Sequence, residues 1–85
     1  MKVRLLFFAA LREQLGRAGE ELDLPPMVTT VGALREHLRG RGGAWADVFA
    51  PTKAVRAAVN QAMAQPAASI KAGDEVAFFP PVTGG

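Results

Sequence analysis

Eighty-five residues, 49% apolar and 21% charged, are enough for one domain with one modest core, and this balance excludes a disordered or fibrous chain. The absence of cysteine excludes a disulfide framework, a thiolate nucleophile, an iron–sulfur cluster and a Cys-ligated zinc site. The net charge of +2 divides as seven cations against five anions in residues 1–43 and three against three in 44–85, with no basic stripe interleaved with aromatics, so no nucleic acid is expected as partner.

Along the chain, Val3 to Phe8 alternates as a strand, with Val3, Leu5 and Phe7 inward and Phe8 on the opposite face. Ala9 to Leu15 has helical composition, and Gly16 is placed to stop it. Gly16 to Gly19 reads as a turn. Glu20 to Leu24 alternates up to Pro25-Pro26 and is predicted as an edge strand antiparallel to the first. Thr30 suits the N-cap of a helix running to about Arg39, with Val31, Leu34 and Leu38 as its buried stripe. Gly40, Gly42 and Gly43 end it. Ala44 to Ala50 is predicted as a helical turn whose Trp45, Val48 and Phe49 fill core gaps. Ala54 to Asn60 is a third strand, Asn60-Gln61 a turn, and Met63 to Ile70 irregular around Pro66. Lys71 to Asp74 is a tight turn before the last strand, Glu75 to Phe79, which has Val76 and Phe78 inward and is ended by Pro80-Pro81.

The longest charge-free stretch, Ala57 to Ile70, is too short to span a bilayer, so no membrane association is expected. The first residues show no signal peptide, which points to the cytoplasm. One main helix packed on one face of a mixed four- to five-stranded sheet is the economical α+β solution at this length.

Conventional active-site chemistry finds no constellation. His37 is the only histidine and lacks metal-ligand partners, so it reads as a partly exposed helix residue and no metal is expected. Glu20-Glu21 and Asp74-Glu75 are adjacent pairs that point to opposite sides and read as solvated edges. Arg35 and Arg39, four apart, read as a basic stripe on the exposed helix face.

The chain's end is different. An apolar strand runs into Pro80-Pro81, which bar further ladder pairing and stiffen the exit. Val82 and Thr83 are β-branched, and Gly84-Gly85 come last. A stiff arm ending in bare backbone suits a narrow channel in another protein, and its one deliverable reactive group is the Gly85 carboxylate. Adenylation would activate that carboxylate, and a sulfur nucleophile could then displace AMP. The chain divides accordingly into a domain over 1–80 and an extended, flexible tail over 81–85.

Four segments carry a resemblance that covers essentially the whole chain: Leu6 to Glu13, Thr30 to Arg35, Ala58 to Gln61 and, most specifically, Gly73 to Gly85. They resemble the small subunits of molybdopterin synthase, the MoaD-like sulfur carriers of the ubiquitin-like superfamily. The resemblance implies a β-grasp fold with the first and last strands central and parallel. It implies that an E1-like adenylyltransferase activates Gly85 with ATP and that a sulfur donor converts it to a thiocarboxylate. The tail, Pro80 to Gly85, would then enter the large synthase subunit and give its sulfur to cyclic pyranopterin monophosphate. The implied assembly is a heterotetramer with catalytic side chains on the large subunit. The small chain is then a non-catalytic sulfur donor that binds no cofactor itself.

Alternation also places Phe8 and Phe79 on the face opposite the core, on neighbouring strands. With Met63 they are expected to form an apolar docking patch at the root of the tail. Alternative readings are a sulfur carrier for thiamine or tRNA thiolation, a ubiquitin-like modifier, and a plain β-grasp interaction module. The Phe-Phe-Pro-Pro-Val-Thr-Gly-Gly ending argues against the thiamine carriers.

Overall fold

The computed structural model describes residues 1–81. Strand β1 (Lys2–Phe7) buries Val3, Leu5 and Phe7 almost completely, the result of strict alternation in its sequence. The chain leaves β1 through Phe8 and turns sharply at Ala9, whose φ of 54° is unusual for a residue with a side chain. Helix α1 (Ala9–Leu15) follows, buries Leu11 and ends on Gly16 in the left-handed region, where the Gly16 amide donates to the Arg12 carbonyl at 3.0 Å.

Strand β2 (Gly19–Asp23) pairs antiparallel with β1, with Leu22 opposite Val3. Gly19 is required by close approach: a Cβ there would sit 2.3 Å from the Leu5 carbonyl oxygen. Gly19→Ala is therefore expected to destabilise the domain by about 2 kcal/mol or more in urea unfolding. A loss below about 0.5 kcal/mol would show that β1 and β2 can part to admit a methyl group.

Helix α2 (Val31–Arg39) starts where the Thr30 hydroxyl accepts a hydrogen bond from the Ala33 amide at 3.1 Å. Its Val31, Leu34 and Leu38 are buried in the core. Helix α3 (Ala44–Val48) brings in Trp45, Val48 and the following Phe49. The Trp45 ring meets Phe7 edge-on at 5.5 Å, and Phe49 meets Phe78 edge-on at 5.2 Å.

Strand β3 (Arg56–Val59) and strand β4 (Ala62–Ala64) form a hairpin across Asn60-Gln61, both with positive φ, as tight hairpin turns demand. Strand β5 (Glu75–Phe79) lies between β1 and β3, parallel to the first and antiparallel to the second. The sheet order is β2-β1-β5-β3-β4, so the first and last strands are central and parallel, as expected of a β-grasp domain.

The tight turn before β5 closes with the Asp74 amide donating to the Lys71 carbonyl at 3.0 Å. The Asp74 carboxylate accepts from Asn60 Nδ2 at 3.0 Å and from the Lys71 amide at 2.8 Å. These bonds, Asn60's first, hold the Asp74 carboxyl below its ordinary range.

Three expectations are corrected. Met63 and Ala64, read as the start of an irregular stretch, belong to the edge strand β4 because pairing with β3 outweighs their weak strand propensity. Arg35 is not part of a free basic stripe. Its Nε donates to the Phe49 carbonyl at 3.3 Å and its Nη2 to the Ala50 and Lys53 carbonyls at 2.7 and 2.8 Å, clamping the loop into β3. Arg39 does face solvent, paired with Glu36 at 2.6 Å.

Glu20 is the third correction, since it stands opposite the buried Leu5 on the core side of β2 and is only partly exposed. Arg41 bonds its two carboxylate oxygens at 2.7 and 3.2 Å, and Arg17 adds a contact at 3.2 Å. The Arg41 guanidinium also lies over the Trp45 ring, 4.4 Å from its centre. The hydrogen bond from Arg41 is the main cause of a Glu20 pKa below its ordinary 4.5, with partial burial opposing it. A lowered folded-state pKa stabilises the fold above the unfolded value, and that contribution disappears as pH falls through the folded one. Glu20→Gln is thus expected to cost about 1 kcal/mol at neutral pH, a difference that shrinks as pH drops into the acid range. A cost that stays constant between neutral and acid pH, measured by urea unfolding, would contradict it.

Candidate docking face and tail root

The parallel pairing of β1 and β5 fixes where the tail begins. The Phe8 amide donates to the Phe78 carbonyl at 3.2 Å, extending the ladder one residue past β1, so Phe8 lies beside the end of β5. Phe79, Pro80 and Pro81 follow on β5's exit, each half-buried. Val82, Thr83, Gly84 and Gly85 lie outside the described residues.

The register lays out the sheet's outer face in rows. One row is charged: Glu21, Arg4 and Glu75 lie on β2, β1 and β5. The next is apolar: Leu6, Ala77, Ala58 and Met63 lie across β1, β5, β3 and β4. At the tail's root, Phe79 stands opposite Arg56 on β3. Successive rows are spaced by two residues along each strand, roughly 6.6 Å.

Phe8 is 48% exposed and Met63 62%, whereas Phe79 is partly covered. Two of the described residues' three exposed large apolar side chains therefore lie on or beside this face, and the third, Met27, is in the loop before α2. Met63 is two strands from β5, roughly 9.6 Å away. Phe8, Phe79 and Met63 are thus not one contiguous cluster by themselves.

Leu6, Ala77 and Ala58 supply the continuity, and the reading of the sequence missed them. The signal was present: the alternation that sends Phe8 and Phe79 outward also sends out Leu6 and Ala77, each two residues earlier. An apolar band bordered by a charged row, with Arg56 at the opposite end, has the anatomy of a protein–protein contact.

His37 is half-buried in the last turn of α2, and no group of three metal-capable side chains exists among the described residues. No described helix is long and apolar enough to cross a membrane.

The ThiS family profile matches residues 5–85. The chain is 44% identical over 85 residues to the "Molybdopterin synthase sulfur carrier subunit" of Escherichia coli K12, covering 98% of this chain and 99% of that protein. It is 41% identical over 83 residues to the protein of the same name from Haemophilus influenzae, with the same coverage. Among solved structures, it is similar to a putative molybdopterin converting factor subunit 1 from Pyrococcus furiosus, with TM-score 0.78, 28% identity and 96% and 99% of the two chains covered. A complex of subunits 1 and 2 of the molybdopterin-converting factor from Helicobacter pylori shares the fold, with TM-score 0.66, 20% identity and full coverage of both chains.

Proposed function

The chain belongs to the ThiS family, among the sulfur carrier subunits of molybdopterin synthase, and from that premise we propose that Gly85 is the residue that carries the sulfur. The observation that supports this reading most is 41–44% identity to two proteins of that name over 98% of the chain. It outweighs the thiamine, tRNA-thiolation and modifier alternatives.

An E1-like adenylyltransferase joins the Gly85 carboxylate to the AMP part of ATP and releases pyrophosphate. A sulfide-level donor then displaces AMP, leaving a C-terminal thiocarboxylate. The partner that consumes it is the large synthase subunit. The tail enters that subunit's site, the sulfur passes to cyclic pyranopterin monophosphate, and two transfers build the dithiolene of molybdopterin. This chain contributes the reacting carbonyl, a terminus without side chains and a docking face. The catalytic side chains are the large subunit's, and this chain holds no cofactor. The charging step needs ATP, and the cytoplasm is the compartment proposed for it.

Reconstitution tests the proposal. The chain, charged by its adenylyltransferase and a sulfide source, is mixed with the large subunit and cyclic pyranopterin monophosphate. Molybdopterin is expected, and it should disappear when ATP is left out of the charging step. Molybdopterin formation that ignores charging would refute the carrier role.

A further inference from the structure

The register of the outer face sets each strand cation against an anion, with one exception. Lys2 stands opposite Asp23, and Arg4 stands between Glu21 on β2 and Glu75 on β5. Arg56 stands opposite Phe79 on β5, and the neighbouring β4 holds only Ala62, Met63 and Ala64. The one anion of β5, Glu75, lies four residues before Phe79, roughly 13 Å along the strand. The cleft that Arg56 borders, between the start of α2 and the β3–β4 edge, is lined by no carboxylate. Arg56 is exposed and forms no ion pair among the described residues.

We propose that Arg56 determines which partner this face accepts, and that the large subunit meets it with a carboxylate. Continuity with the apolar band and charge complementarity both argue for this. Directly opposed residues on antiparallel strands hold their Cβ atoms about 4.5–5.5 Å apart, so a partner that covers Phe79 also covers Arg56. A guanidinium stripped of water and left without an acceptor opposes binding. The described residues place no carboxylate there, so the partner's face provides it. Arg35 shows the other way to satisfy a guanidinium, but it uses three backbone carbonyls from a loop folded around the side chain. A surface that docks from one side does the same with one carboxylate, which accepts two parallel N–H bonds.

The inference rests on the function proposed above, which supplies the large subunit as partner. Its consequence is discrimination. An apolar band accepts many apolar faces, whereas a covered Arg56 rejects any face that lacks the opposing carboxylate.

The test is the affinity of the full chain and its variants for the large subunit. Arg56→Gln and Arg56→Leu are each expected to weaken binding about tenfold or more, and Arg56→Glu about a hundredfold. Arg56→Leu is the sharpest of the three, because it enlarges the apolar band. Binding by that variant at or above wild-type affinity would overturn the proposal. Each Asp of the large subunit is then changed singly to Asn, and each Glu to Gln. One such change is expected to weaken binding of the wild-type chain about tenfold and to leave the Arg56→Gln variant no weaker, the non-additivity that marks a direct pair. If every change weakens both chains equally, no carboxylate faces Arg56 and the proposal falls. Arg39→Gln removes a cation from the solvent face of α2 and should bind as the wild type does, whereas a loss equal to that of Arg56→Gln would mean general charge attraction and overturn the pairing. A wild-type chain that does not bind the large subunit would refute the function proposed above. Wild-type binding with indifferent Arg56 variants refutes this inference alone.

Discussion

A chain lacking Gly85 is expected to lose sulfur transfer to the pterin precursor entirely, with its melting temperature nearly unchanged. The two readouts separate because the core and the reacting group occupy different parts of the sequence. Every buried apolar residue among those described lies between Val3 and Phe78, so removing residue 85 takes nothing from the core. Transfer, by contrast, needs the reacting carbonyl within about 3–3.5 Å of its acceptor, and one residue of extended chain moves it by roughly 3.3–3.6 Å. Adding one residue after Gly85 should fail as completely, since Gly85 would then have no free carboxylate to adenylate. Gly84→Ala adds only a methyl group and should be milder. The assay is molybdopterin formed by the large subunit from thiocarboxylated variants. Wild-type yield from the deletion would contradict the role given to Gly85.

Phe8→Glu is expected to weaken association with the large subunit by about 2 kcal/mol or more, roughly 30-fold in Kd, in a titration calorimeter. The domain should stay folded, because Phe8 is 48% exposed and precedes α1, where a carboxylate meets the favourable end of the helix dipole. Phe79→Glu is a less clean probe: Phe79 is half-buried, and a carboxylate there would face Arg56 and could form a new pair. Met63→Glu, on the exposed edge strand, should weaken binding without unfolding. Wild-type affinity in both Phe8→Glu and Met63→Glu would move the docking face elsewhere.

The parts of the fold that could be read from the sequence are those set by local periodicity. Val3, Leu5 and Phe7 alternate, Val31, Leu34 and Leu38 recur at helical spacing, and Thr30 offers a capping oxygen; each is where that local chemistry predicts. Phe8 could be assigned to the outer face for the same reason.

What escaped the sequence depends on contacts between distant segments. Strand β4 is three small or flexible residues, Ala62, Met63 and Ala64, whose extended state comes from pairing with β3. The carbonyls that Arg35 clamps lie 14 to 18 residues further along, in a loop without periodicity, so a clamp and a solvated arginine look the same in sequence. Glu20 meets Arg41 across 21 residues, and only the folded chain turns it from an edge charge into an ion-pair centre.

The chemistry assigned to Gly85 is tested most directly by the intact mass of this protein purified from its native cells with its pathway active. A population with one oxygen replaced by sulfur, mapped to the C-terminal peptide and lost when the adenylyltransferase is deleted, is the predicted result. Gly85 found only as an ordinary carboxylate under thiol-protecting, hydrolysis-free isolation, or found joined to lysines of other proteins, would contradict it.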